Sequence, residues 1–141
     1  MLERERKFKL KYLPEGLTPL KIKQGYLMIK GKKNLRIRII DDEVAYMTYK
    51  VSIKKDTKDE FEYKVPLVDA VEMYNKAEKR LEKTRYKTKL NGNTIDIDVY
   101  PNGLQVVEIE FENELRSEDI PDYCGEEITG ISKYSNTKIA K

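Results

Sequence analysis

The stretch VEIEFE, residues Val107–Glu112, carries a glutamate at every second position, with apolar residues between the glutamates. Successive side chains of a β-strand point to opposite faces, so this period of two predicts a strand with one acidic and one apolar face. Six further segments show the same alternation, and adding Gln24–Lys30 predicts about eight strands in all. The six cover residues 3–10, 35–39, 47–53, 60–65, 83–88 and 95–99.

The connections between these segments are short and polar, which is typical of hairpins. Asn91-Gly92 and Asn102-Gly103 provide residues that tolerate the positive φ of tight hairpin turns. Parallel neighbours would need long crossover connections, so the short turns favour antiparallel pairing of the strands.

One segment departs from the period of two. From Pro66 onward, the apolar residues recur at three- and four-residue steps, which predicts an amphipathic helix with the proline in its first turn. A second short helix is predicted over Glu118–Tyr123, whereas residues 132–141 show no clear pattern.

The composition of the chain is highly charged but nearly balanced. The length of 141 residues predicts one domain, spanning residues 1–141. Lys and Arg number 28 and Asp and Glu number 25, so the net charge is only +3. A protein that binds polyanions through charge alone would carry a larger excess of positive charge. The near balance suggests that residues of both signs are needed together.

Several classes of function are excluded by residues that the sequence lacks. There is no histidine, which excludes catalytic triads and zinc sites that depend on it, and Cys124 is the single cysteine. No apolar run is long enough to span a membrane or to form a signal peptide. We therefore expect a cytoplasmic protein with no membrane partner.

The charged faces of the strands have two interpretations, an ordinary solvated exterior or the inner wall of a closed barrel. The charges are sorted by strand, whereas a merely solvated face tends to mix signs because close like charges repel. The basic strands carry Arg36 and Arg38, and Lys83, Arg85 and Lys87, while the acidic strands carry Asp96 and Asp98, and Glu108, Glu110 and Glu112.

An inward charged face would require a hydrated lumen and a charged ligand. Burying an unpaired ion costs several kcal/mol, and a dozen such ions would exceed the ~5–15 kcal/mol stability of a domain. Basic strands suit phosphate, and clustered carboxylates suit Mg²⁺ or Mn²⁺, which bridge to phosphate oxygens. The inward interpretation therefore predicts a site for a metal ion and a polyphosphate.

The chain resembles the CYTH superfamily, the triphosphate tunnel metalloenzymes, in motifs that keep their order along nearly its whole length. The first motif, Glu3-x-Glu5-x-Lys7, is similar to the ExExK signature of that superfamily. The compact length is similar to that of the short bacterial-type members. The other motifs are Gln24-Gly25-Tyr26-Leu27, Arg36-x-Arg38, Thr48-x-Lys50, Glu60-x-Glu62-Tyr63, Lys83-x-Arg85, Asp98, Glu108-x-Glu110 and Lys133-Tyr134-x-Asn136.

This resemblance implies a mainly β structure of the α+β type. Eight antiparallel strands would close into a barrel, the triphosphate tunnel, with a few helices packed outside it. It implies phosphate contacts from seven basic residues, namely Lys7, Arg36, Arg38, Lys50, Lys83, Arg85 and Lys133. It implies metal binding by Glu3, Glu5, Asp98, Glu108 and Glu110, orienting roles for Glu60 and Glu62, and a catalytic centre at Glu3, Glu5 and Lys50.

The activity implied by the resemblance is hydrolysis of a triphosphate by water with Mg²⁺ or Mn²⁺. The short chain offers few elements for recognising a base and has no tryptophan, so inorganic tripolyphosphate is the expected substrate, with nucleoside triphosphates weaker. A class IV-type adenylate cyclase and a non-catalytic binder of nucleotides or polyphosphate remain alternatives. A nucleic-acid-binding barrel is disfavoured because the carboxylates would repel a phosphate backbone. A homodimer is left open.

Overall fold

The computed structural model describes all residues from Met1 to Lys141 and consists mainly of β-strands. Two single 3₁₀ turns lie at Ser117–Asp119 and Ser132–Tyr134, and no helix is long and apolar enough to cross a membrane. The strands are β1 (Leu2–Leu10), β2 (Pro19–Lys30), β3 (Lys33–Ile40), β4 (Val44–Lys54), β5 (Thr57–Val65), β6 (Lys79–Leu90), β7 (Asn93–Val99), β8 (Gln105–Glu110) and β9 (Cys124–Glu127), and the helices are α1 (Leu67–Asn75) and α2 (Asn136–Ile139).

Eight antiparallel strands form a closed ring, as the sequence predicts. Their order is β5-β4-β3-β2-β6-β7-β8-β1, and β1 closes the ring by pairing with β5. One edge of β1 pairs with β8 along Glu5–Lys9, and Leu2–Arg4 pair on the other side with Thr57–Asp59 of β5. The ring places the even and odd residues of each strand on opposite surfaces, one inside and one outside.

The outer, apolar face of the ring is covered in two places. On one side, Ile95, Ile97, Val107 and Ile109 are fully buried beneath the segment that contains Leu115, Ile120 and Tyr123. On the other side, α1 covers β3 and β4, and its Ala70 is buried among Ile37 and Ile39. Each fully buried aliphatic side chain of this kind contributes about 1.5–3 kcal/mol.

The glycine at position 25 lets α1 approach the ring closely. A Cβ atom on Gly25 would lie 3.0 Å from the Cβ of Ala77 and 3.1 Å from the ring of Tyr74. The helix begins after Pro66, as its apolar spacing predicts, and it ends at Asn75. In the motif Gln24-Gly25-Tyr26-Leu27, the glycine therefore makes room for the helix, while Gln24 and Tyr26 face inward and are buried.

The C-terminal part of the chain differs from the sequence prediction. A ninth strand, β9, was not predicted and continues along β1 beyond β5, opposite Phe8 and Leu10. The helix predicted over Glu118–Tyr123 is reduced to the 3₁₀ turn that ends at Asp119. The helix α2 is short, and it packs at one end of the ring rather than on the apolar outer face. Its position follows from the adjacent Ala140, which joins a buried cluster formed by Tyr26, Leu81, Tyr100, Val106 and Ile128.

Strand β9 is tied to β1 by an ion pair on the outer surface. The carboxylate of Glu127 accepts hydrogen bonds from Nε and Nη2 of Arg6 at 2.8 and 2.7 Å. The hydrogen bonds from Arg6 lower the pKa of Glu127 to about 2. A carboxyl group with a lowered pKa stabilises the fold fully above its ordinary pKa, and this contribution is lost as the pH falls through the lowered value.

Substitution of Glu127 by glutamine should therefore reduce stability in a pH-dependent way. We expect the parent to be the more stable of the two at pH 6, and the difference should shrink as the pH falls from the ordinary value of 4.5 toward about 2. Urea unfolding across this pH range measures the effect. Glu126→Gln is the control, because its exposed pair with Lys9 should contribute little. A constant difference between parent and Glu127→Gln at all pH values would contradict the prediction.

Candidate active site

The inward faces of the strands surround one large polar cavity. Its volume is about 670 Å³, and only five of its 32 lining residues are hydrophobic. Charged side chains from β1, β3, β4, β5, β6 and β8 therefore converge on a common channel, as the inward interpretation predicts. The predicted site residues in its wall are Glu3, Glu5, Lys7, Arg36, Arg38, Lys50, Glu60, Glu62, Arg85, Glu108 and Glu110.

Two arginines on β3 present unpaired donors to this cavity. Arg36 is only 4% exposed, yet its Nε and Nη2 have no hydrogen-bond partner, and neither has Nε of Arg38. Burial, together with the neighbouring Arg36 and Arg85, lowers the pKa of Arg38 to about 10. Leaving buried charged donors unsatisfied costs several kcal/mol, so this part of the wall is built to receive an anion.

Lys50 on β4 lies between two acids, one on β1 and one on β5. Its Nζ is 3.1 Å from Oε1 of Glu3 and 3.4 Å from Oε2 of Glu60. Burial raises the pKa of Glu3, although Lys50 opposes that effect. Thr48, two residues before Lys50, donates a 2.8 Å hydrogen bond to Glu62. The predicted orienting acids Glu60 and Glu62 thus both contact polar groups on β4.

Asp98 on β7 is completely buried between two cations of β6. Its two oxygens accept hydrogen bonds from Nε and Nη2 of Arg85 at 2.8 and 2.9 Å. Its Oδ2 also lies 2.9 Å from Nζ of Lys83, and neither of these two side chains has exposed surface. Burial lowers the pKa of Lys83 to about 7. Asp98 and Lys83 therefore lie behind the cavity wall, where Asp98 fixes the direction of Arg85.

The carboxyl groups of β1 and β8 crowd together on the opposite side of the channel. Glu5 lies opposite Glu110, and Lys7 lies opposite Glu108. Burial and the nearby charge of Glu108 raise the pKa of Glu5 to about 8. Burial alone would raise the pKa of Glu108 too, but Lys7, Lys83 and Arg85 together hold it well below its usual value.

The oxygen donors of this acidic side fit a hard divalent cation. Oε1 of Glu108 is buried without a hydrogen-bond partner, and the carboxyl groups of Glu3, Glu5 and Glu110 line the same cavity. Mg²⁺ and Mn²⁺ prefer oxygen ligands and usually keep positions for phosphate and water. No three acids form a ready-made ion cluster, so an ion held here would take further ligands from the bound anion or from water.

The whole chain, residues 1–141, matches the family model of the CYTH domain. The chain belongs to the CYTH family. A relative from Acetivibrio thermocellus, an inorganic triphosphatase, is 32% identical over 124 residues, which are 84% of this chain and 79% of the relative. CYTH membership and the strand order together confirm the resemblance that the sequence motifs indicated.

Solved structures of similar proteins share the fold. The inorganic triphosphatase NE1496 is 31% identical with a TM-score of 0.67, and the match covers 98% of this chain and 93% of that one. A conserved hypothetical protein from Pyrococcus furiosus is 24% identical with a TM-score of 0.65, covering 83% of both chains. The second of these shows only that the CYTH fold is shared.

The C-terminal segment, which lies outside the alternating strand pattern, differs from the prediction at Lys133. Lys133 is exposed and does not line the cavity, and its Nζ lies 5.1 Å from the centre of the Tyr134 ring. The backbone oxygen of Tyr134 instead accepts a 2.9 Å hydrogen bond from Nζ of Lys7. Several lining residues that the sequence analysis did not single out lie at strand ends, in turns or in the C-terminal segment, namely Lys32, Lys33, Asn34, Ser52, Lys54, Lys55, Thr129, Ser132, Ser135 and Thr137, and Lys58 on β5 lines the cavity as well.

Proposed function

We propose that this protein hydrolyses inorganic tripolyphosphate with the help of Mg²⁺ or Mn²⁺, and nucleoside triphosphates more weakly. The unpaired, buried guanidinium groups of Arg36 and Arg38 carry this proposal, because an anion is the ligand that satisfies them. Two similar proteins are inorganic triphosphatases. CYTH triphosphate tunnel enzymes use divalent metals, and the acids opposite the arginines suit such an ion.

The basic residues of the channel would bind and orient the phosphates. Arginine can offer two parallel hydrogen bonds to a phosphate, whereas lysine acts as a point charge. Lys83 and Lys133 keep their roles on the family resemblance alone, since neither side chain lines the cavity. The proposed set is Lys7, Arg36, Arg38, Lys50, Lys83, Arg85 and Lys133.

The metal ligands would come from Glu3, Glu5, Glu108 and Glu110. Asp98 belongs to the same proposal on sequence grounds, but both its oxygens are engaged by Arg85 and Lys83. We therefore assign Asp98 the role of positioning those two cations. A bound divalent ion supplies neutralisation of phosphate charge and activation of water.

The channel residues support direct attack by water. The single cysteine, Cys124, is buried in the cluster outside the ring, where burial raises its pKa to about 11, so it does not serve as a nucleophile. Glu3, or Glu5 in its ionised form, would accept the proton of the attacking water, and Lys50 would hold Glu3 in place at 3.1 Å. The arginines would stabilise the negative charge that develops on the leaving phosphate.

The partners and the location of the protein form part of the same proposal. A small triphosphate fits an enclosed channel of about 670 Å³. The acids that share this channel would repel the backbone of a nucleic acid. We expect the protein to act in the cytoplasm, without a membrane or nucleic-acid partner.

Phosphate release by the purified protein tests this function. We expect tripolyphosphate to be cleaved to phosphate and pyrophosphate faster than ATP, pyrophosphate or thiamine triphosphate, in the presence of Mg²⁺ or Mn²⁺. Excess EDTA should abolish the reaction. Full activity in EDTA would refute the metal-dependent mechanism. Cyclic AMP formed from ATP would indicate a cyclase, and tight binding of tripolyphosphate without turnover would indicate a binding protein.

A further inference from the structure

The second half of β5 leaves one of its edges open. On one side β5 pairs with β4 up to Val65, whereas β1 covers its other side only along Thr57–Asp59. The last contact on that second side joins Met1 and Glu60, where the backbone N–H of Glu60 donates to the oxygen of Met1 at 2.9 Å. Beyond this point β5 continues for five residues with no strand paired on that side.

The open edge presents four backbone groups. Antiparallel strands alternate the direction of their hydrogen-bonding groups, and Glu60 faces β1, so Glu62 and Lys64 face the same way. The N–H and C=O groups of these two residues therefore point away from β4. Both residues are exposed, and an unpaired edge of this kind is a template for a further strand.

The sequence of this edge is complementary to itself. If two copies pair antiparallel with a twofold axis at Tyr63, Glu62 of each copy lies opposite Lys64 of the other. The four backbone groups of each copy then form hydrogen bonds across the axis, and two ion pairs lie on one face. One oxygen of Glu62 is bonded to Thr48, which leaves the other free for such a pair.

The other face of the edge is apolar and exposed. Tyr63 is 68% exposed and Phe61 is 40% exposed, and Phe61 stacks on Tyr49 with ring centres 6.4 Å apart. In the same twofold register, Tyr63 meets its own copy, and Phe61 lies opposite Val65. Aromatic and β-branched pairs of this kind stabilise adjacent antiparallel strands.

We propose that the protein forms a homodimer through residues 61–65, in which the two β5 strands pair edge to edge. The interface is isologous, since the same surface is used by both copies, and it joins the two rings through one continuous antiparallel sheet. The dimer does not depend on the proposed triphosphatase activity, because it is built from backbone groups of the edge. Glu62 also lines the channel, and it contributes to the dimer only the carboxylate oxygen that Thr48 does not bind.

Sedimentation across a range of concentrations tests the dimer. We expect the parent to reach twice the 16.6 kDa mass of one chain. Lys64→Pro removes an edge-facing N–H while leaving the pairing with β4 intact, and it should be monomeric. Lys64→Ala, which keeps that N–H, is its matched control and should still dimerise, although more weakly.

Charge substitutions test the register. Lys64→Glu places one acid opposite each Glu62 and should give a monomer, whereas Glu62→Lys combined with Lys64→Glu restores the opposite charges and should restore the dimer. Circular dichroism confirms that each variant is folded, and amide exchange at Glu62 should slow as the parent concentration rises. A parent that is monomeric throughout, a dimer that survives Lys64→Pro, or a double variant that stays monomeric would overturn the proposal.

Discussion

Replacing Arg36 with alanine is expected to lower the rate of tripolyphosphate hydrolysis by about 100-fold or more, without lowering the stability of the fold. The expected loss of activity and the unchanged stability both follow from the unpaired donors of Arg36. The guanidinium group is buried and two of its nitrogens have no hydrogen-bond partner in the protein, so the nearby charge of Glu60 only partly offsets its cost of desolvation. An anion in the channel would supply the missing hydrogen bonds.

Phosphate release and urea unfolding measure the two sides of this prediction. Arg36→Lys should recover only part of the activity, because an ammonium group cannot make the paired contacts of a guanidinium. Arg80→Ala is the control, since Arg80 lies on the outer surface near Tyr74, and it should keep full activity. Unchanged activity in Arg36→Ala would contradict the proposed role. A large loss of stability would show that Arg36 is structural.

The alternation of residues predicts most of the ring because each strand needs only local information. A strand such as Val107–Glu110 alternates between a buried apolar face and a charged face, whatever its neighbours are. Alternation alone cannot say whether the charged face points outward or inward. The sorting of charges, with basic Arg36 and Arg38 on one strand and acidic Glu108 and Glu110 on another, favoured the inward direction, and the resemblance to the CYTH superfamily supported it.

The C-terminal segment could not be predicted in the same way, because long-range contacts determine its structure. Strand β9 has four residues and includes a glycine, so its own sequence gives little sign of a strand. It forms because Arg6 binds Glu127 and because the N–H of Ile128 donates to the oxygen of Lys7. Such contacts join residues more than 100 positions apart, and no local pattern predicts them.

The role of Asp98 could not be settled by spacing either. The sequence resemblance places it among the metal ligands, yet the structure surrounds it with Lys83 and Arg85. Burial would raise the pKa of Asp98, but these two cations hold it below its ordinary value. Alternation puts all three residues on the same face and gives no information about which of them contact each other.

Asp98→Ala is therefore expected to destabilise the protein by about 3–5 kcal/mol, because it leaves Lys83 without its ion-pair partner and removes the carboxylate that accepts two hydrogen bonds from Arg85. Urea unfolding without added metal measures this loss. Asp96→Ala is the matched control on the same strand and face. Asp96 pairs with the half-exposed Lys87. Without Asp96, Arg85 would still be paired with Asp98, so the removal of Asp96 should cost about 1 kcal/mol or less.

The same experiment separates positioning from metal binding. If Asp98 served only as a metal ligand, its removal would relieve repulsion among the acids and would not lower stability in the absence of metal. If it positions Arg85 and Lys83, stability falls without metal, and excess Mg²⁺ does not restore hydrolysis. Equal stability of Asp98→Ala and the parent would refute the positioning role, because a buried Lys83 without its ion-pair partner cannot be free of cost.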